Sequence, residues 1–217
     1  MLFIGSATMT PYQVSVLVKC KGIYDYIVKT GSLELYVDPL YKQGAHKVTS
    51  GTVVEIPMHT PDWLRIVPEL KSGDKIYFHY NSLDEDALVP ETDGIFSILY
   101  DMIFCYVRDG EIVPIAGKCL CKPYFDPDIT EIEIGGQMVK CKMTKSGIIK
   151  EINVRHSLKR AILTHIGTQL VGETKPDVKV GDIVYYAINA DFENVIEGDT
   201  YFVMDQEVLL MTEEATN

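Results

Sequence analysis

The side chains that could carry chemistry are dispersed along the chain. His46, His59, His79, His156 and His165 stand singly, with no histidine pair at helix spacing and no nucleophile elbow of the Gly-x-Ser-x-Gly kind. Each reads as a surface or hydrogen-bonded histidine rather than a general base. Gly135-Gly136 is not followed by the lysine and hydroxyl residue that a phosphate-cradling loop needs. The cysteines are Cys20, Cys105, Cys119, Cys121 and Cys141. A zinc reading would draw on Cys119, Cys121 and Cys141 with His156 or His165. However, Cys119-Leu120-Cys121 puts both sulfurs on one strand face, without the two-residue turn of a zinc knuckle. They read as reduced core thiols, and no cofactor is expected. Asp84-Glu85-Asp86 lacks the ligand spacing of a calcium loop. Tyr77, Phe78, Tyr185 and Tyr186 read as barrel or subunit-interface aromatics rather than a stacking platform. No constellation supports catalysis, so a non-enzyme is expected.

The elements that would position these residues are strands. Runs rich in β-branched and aromatic residues, at 13–19, 50–56, 75–80, 95–100, 102–107, 115–122 and 201–204, alternate with turn signals such as Lys71-Ser72-Gly73-Asp74, Asp93-Gly94 and Asp109-Gly110. Helical periodicity is almost absent, although residues 157–163 fit either one amphipathic helical turn or a hairpin. The expected class is all-β, in the form of two small β-barrels.

The number two comes from an internal copy. Lys179-Val180-Gly181-Asp182-Ile183-Val184-Tyr185-Tyr186 repeats Lys71-Ser72-Gly73-Asp74-Lys75-Ile76-Tyr77-Phe78. Residues 119–122 match 16–19, residues 146–152 match 50–56, and the ending 198–211 matches 94–104. The second copy is longer, with an insertion near residues 154–172. A repeat of this kind outranks any single motif. The expected domains are 1–110 and 111–217, joined through a tight hairpin at Asp109-Gly110.

Net charge is -11, and neither half has a basic cluster able to neutralise a row of phosphates, so nucleic acid is not an expected partner. The longest apolar runs fall far short of the ~20 residues that span a bilayer, so no membrane partner is expected either. No secretory leader is legible at residues 1–5, and a cytoplasmic location is expected by default.

In order, the chain has a valine-rich strand ending in lysine and a long loop with small residues before three further residues. A glycine-led strand follows, then Val178-Lys179-Val180-Gly181-Asp182-Ile183-Val184 and a closing pair of strands. That series resembles the GroES-like co-chaperonin family in tandem, double-barrel form, over nearly the whole chain. The resemblance implies a ring-forming protein that caps or adapts a GroEL-like chaperonin in ATP-dependent folding. It implies a chaperonin-binding loop at Gly31, Ser32, Leu33, Glu34 and Leu35 in the first copy, and at Gly135, Gly136, Gln137, Met138 and Val139 in the second. In the family this loop orders only on binding, so part of the binding energy goes into ordering it and the cap can leave again. From the residues alone, Leu33 and Leu35 with Glu34 between them equally suit a surface strand. An alternative from another class is a structural or assembly protein, of a kind that phages or mobile elements encode. Such a protein would keep the barrel for ring formation without binding a chaperonin.

Overall fold

The computed structural model describes residues 2–4, 7–9, 14–25, 27–30, 33–36, 47–57, 69–124, 129–134, 137–143, 149–151, 159–173, 177–187 and 189–213. The chain is all-β, with three-residue 3-10 turns and no α-helix among these residues. The strands before the Asp109-Gly110 turn are β1 (Leu2–Ile4), β2 (Ala7–Met9), β3 (Ser15–Lys19), β4 (Ile27–Thr30), β5 (Leu33–Tyr36), β6 (Ser50–Glu55), β7 (Lys75–Phe78), β8 (Ile95–Leu99) and β9 (Ile103–Arg108). After it come β10 (Glu111–Pro114), β11 (Lys118–Pro123), β12 (Ile129–Ile134), β13 (Gln137–Met143), β14 (Ile149–Glu151), β15 (Lys159–Ile166), β16 (Ile183–Tyr186), β17 (Phe192–Ile196), β18 (Asp199–Asp205) and β19 (Leu209–Glu213). Two compact units form: Met1–Cys119 with His165–Lys175, and Leu120–Thr164 with Pro176–Asn217.

Each unit is built on a six-stranded sheet, in the orders β10-β9-β7-β6-β3-β8 and β17-β18-β11-β15-β16-β19. Read from opposite ends, five places coincide: β9, β7, β6, β3 and β8 correspond to β19, β16, β15, β11 and β18. The registers coincide too. Lys75, Ile76, Tyr77 and Phe78 stand opposite Val107, Tyr106, Cys105 and Ile103, with a bulge at Tyr77/Phe78. Ile183, Val184, Tyr185 and Tyr186 stand opposite Glu213, Thr212, Met211 and Leu209, with a bulge at Tyr185/Tyr186. The duplication therefore extends to a shared irregularity, a feature that bends the strand and pins its register.

The shared turn repeats in the same detail. Asp74 accepts the Lys71 amide on Oδ2 at 2.7 Å and Asp182 accepts the Lys179 amide at 2.8 Å. Gly73 and Gly181 lie at φ +94° and +101°, where a Cβ would be strained. Both glycine amides bond back to the preceding strand, Gly73 to Val53 O and Gly181 to Leu163 O, each at 2.8 Å. Strand-end lysines repeat as well: Lys19 pairs with Asp93 and Lys122 with Asp199, each at 3.0 Å.

Chain length forces both sheets to roll. β8 and β9 lie four strand places apart, about 19 Å in a flat sheet. The three-residue 3-10 turn between them, Tyr100–Met102, allows at most about 14 Å from Leu99 to Ile103. Gln206–Val208 makes the same demand of β18 and β19. In the first unit the rolled face closes on one core with Val16, Val18, Val53, Ile76, Phe78, Phe96, Ile98, Ile103 and Tyr106. In the second unit Leu120, Leu163, Val184, Ile196, Tyr201 and Val203 are buried.

Three expectations change. The sheets are rolled but not closed, because β8 and β10 are not bonded to each other, nor are β17 and β19. Residues 146–152 are not the counterpart of β6. Of them, 149–151 form β14 beside β13, and the place of β6 is taken by β15, in which Ala161 stands opposite Val184 as Gly51 stands opposite Ile76. The extra length of the second copy thus falls before that strand. Where residues 157–163 fitted a helical turn or a hairpin, Lys159 onward is the continuous strand β15; residues 157 and 158 lie outside the described residues.

Candidate functional site

Both candidate loops contain paired strands. In the first copy β4 and β5 pair antiparallel: Ile27 opposite Tyr36, Val28 opposite Leu35, Lys29 opposite Glu34 and Thr30 opposite Leu33. Leu33, Glu34 and Leu35 are the first residues of β5, Tyr36 beside them is 78% exposed, and Gly31 and Ser32 lie outside the described residues. In the second copy Ile134 stands opposite Gln137, Glu133 opposite Met138 and Ile132 opposite Val139. Gln137, Met138 and Val139 thus open β13, and Gly135 and Gly136 lie outside the described residues.

The two tripeptides occupy equivalent places, each directly after a two-residue gap between paired strands. Each is also paired on one edge only among the described residues. β5 bonds to β4 alone, and β14 meets β13 only at Cys141, Lys142 and Met143, beyond the tripeptide. A strand with one bonded and one open edge offers its backbone N–H and C=O groups to a further strand. The partner strands β4 and β12 were missed in the sequence. The alternation Ile129-Thr130-Glu131-Ile132-Glu133-Ile134 was the signal for β12, and its acidic composition hid it.

The scaffold below is anchored differently in the two copies. Asp74, buried, takes a two-pronged grip from Arg108: Nε to Oδ1 at 2.9 Å and Nη2 to Oδ2 at 2.6 Å. Nη2 also donates to Glu69 O at 3.0 Å, and the guanidinium lies 4.6 Å from the Tyr106 ring centre. The hydrogen bonds to Asp74 push the Arg108 pKa up. Tyr100, buried, accepts the Glu69 amide at 3.2 Å; burial pushes its pKa up to about 12 against the opposing effect of that bond. In the second copy Glu214 follows β19 where Arg108 ends β9.

Burial pushes the Cys20 thiol up to about 12 despite the neighbouring Lys19, the reverse of what a nucleophilic thiol requires. Cys105, Cys119 and Cys121 are also buried. No group of three or more metal-ligating side chains gathers among the described residues. His79 Nδ1 accepts the Asn81 amide at 3.1 Å, and the ring stacks on Tyr80 at 4.5 Å. Burial, then the charges of Lys118 and Lys47, lower its pKa. No helix among the described residues is long and apolar enough to cross a membrane.

Comparison with protein-family models and with curated proteins finds no match.

Proposed function

We propose that the chain is a non-enzymatic, co-chaperonin-like protein. Its two units are partly open barrels of the GroES-like kind that self-associate into a ring. The ring caps or adapts a GroEL-like chaperonin in ATP-dependent folding in the cytoplasm. The observation that supports this reading is the matched placement of the two tripeptides, Leu33-Glu34-Leu35 and Gln137-Met138-Val139. Each has one strand edge unpaired among the described residues, on units whose large sheets share five strand places. Many weak, identical contacts around a ring give avidity that one ribbon would lack, while each remains able to release. The acidic net charge of -11 favours neither nucleic acid nor an anionic membrane surface as partner.

The test is a pull-down of the full chain with a chaperonin and nucleotide, with Leu33→Asp as the control. Retention of the wild-type chain and loss of the variant are expected, together with protection of residues 27–36 from protease in the complex. An equal, background-level signal for both would overturn chaperonin binding. A second reading, a ring-forming assembly protein without a chaperonin partner, is favoured by one observation. Glu34 is the central residue of its tripeptide and stands opposite Lys29 in the β4–β5 register, and an acidic residue at that place suits a solvated ribbon better than an apolar groove.

A further inference from the structure

The passage from the first copy to the second, residues 115–118, is bonded on two sides within the first unit. Toward β9, the Ile115 amide donates to Phe104 O at 3.1 Å, and the Lys118 amide closes back on Ile115 O at 3.0 Å. On the other side stand residues 167–168, which belong to the same unit although they follow β15 in the chain. The Gly117 amide donates to Thr168 O at 2.8 Å and the Gly167 amide to Lys118 O at 2.9 Å. The Thr168 hydroxyl donates to Glu69 Oε1, and the backbone carbonyl of Glu69 accepts from Arg108. Beyond Thr168 the Glu173 amide turns back to Leu170 O at 3.2 Å, which leaves Val171 59% exposed at the tip.

Two glycines let these segments meet. Gly117 lies at φ +78°, and a Cβ there would sit 2.9 Å from Leu170 Cγ, so the Leu170 side chain rests directly on the Gly117 backbone. Gly167 passes so close to Ile115 O and Pro114 O that no Cβ would fit. The first copy cannot repeat the contact. Counted from the matched Lys19 and Lys122, Val14 holds the place of Gly117. Counted from the matched Gly51 and Ala161, Pro57 holds the place of Gly167, and a proline has no N–H to donate.

We propose that residues 167–173 are a releasable strap: closed, it fixes the passage 115–118, and open, it leaves that passage as a hinge. Opening breaks the two backbone bonds and the Thr168–Glu69 bond but spares the ladders that join β3, β6 and β7. It therefore takes less free energy than unfolding the unit, which is the condition for a local opening. The strap also orders assembly, because the first unit is finished only by residues made after β15. The proposal is independent of ring formation and of chaperonin binding.

Amide exchange of the full chain, read by NMR at single residues, tests the strap. In the wild type the Gly117 and Gly167 amides are expected to exchange at one common rate, since one opening frees both, and faster than the Val53 amide, which is bonded to Asp74 O. Thr168→Val removes the Glu69 bond and is expected to speed both amides by the same several-fold factor, with Val53 unchanged. Gly167→Val bars closure, so the Gly117 amide is expected to lose its protection and trypsin to cut after Lys118, where the wild type resists. Should Gly167→Val fail to fold, Thr168→Val decides alone. Unrelated rates at Gly117 and Gly167, a rate shared with Val53, or both amides unmoved in Thr168→Val would each overturn the proposal, because the segment would then be fixed core. A folded Gly167→Val chain that trypsin spares at Lys118 also overturns it.

Discussion

Asp74 and Asp182 close the same turn with the same amide bond, yet among the described residues only Asp74 also holds an arginine. Removing its charge leaves Arg108 without its two-pronged acceptor in a half-buried site, and the loss of charged hydrogen bonds should cost about 2 kcal/mol. In the second copy only the turn bond weakens, at about 0.5–1 kcal/mol. Urea denaturation of Asp74→Asn and Asp182→Asn should therefore give unequal losses, and equal losses would show that the arginine grip adds nothing. His79 sets a second expectation. Its folded pKa lies below the ordinary 6.5, so the unfolded chain binds the proton first as pH falls. The neutral ring's stabilisation is complete above pH 6.5 and is lost as pH drops toward the folded pKa. His79→Asn, which keeps a turn-capping acceptor, should flatten the pH dependence of stability across that window; an unchanged slope would remove His79 from the account.

Among the strands, Gly51 and Ala161 hold the same place with different room. A Cβ on Gly51 would lie 2.5 Å from Val18 Cγ1, 2.7 Å from Cys20 Sγ and 2.8 Å from Lys19 O, whereas Ala161 is accommodated fully buried. Gly51→Ala should therefore destabilise by about 1–3 kcal/mol through overpacking, measured by the shift in urea midpoint. Reaching the stability of the parent chain would mean that β3 and β6 separate freely. The strand spacing explains what could be read beforehand. The Gly-Asp turns, the strands they lead into and the Asp109-Gly110 hairpin are local patterns, legible from a few residues each. The place of β15 was not, because Ser146-Gly147-Ile148-Ile149 imitates Ser50-Gly51-Thr52-Val53 locally, while pairing to β16 is decided across the sheet. β4–β5 and β12–β13 were read as loop although Gly31-Ser32 and Gly135-Gly136 are two-residue turn signals, because the flanking runs 27–30 and 129–134 carry charged residues that obscure their strand character. Sheet closure depends on whether the end strands meet, which no local alternation encodes.

At the level of the whole chain, two copies of one design differ mainly in their finish. The first has the Arg108 grip and a covered β9; among the described residues the second shows neither at the matching positions. Amide exchange should reflect this, with β16 and β19 exchanging faster than β7 and β9 at matched positions, read by mass spectrometry on the intact chain. Equal protection would show that the unmatched features carry no stability. The bulge shared by β7 and β16 has a consequence for how the chain reaches this state. Because both bulged strands accept a partner in one register, β9 and β19 can compete for either seat, although only β9 brings the arginine that Asp74 holds. During synthesis β9 emerges while β16 does not yet exist, so the order of translation resolves the competition. Dilution from denaturant offers all four strands at once, and recovery should then fall below that of the newly made chain, with the deficit held in cross-paired species.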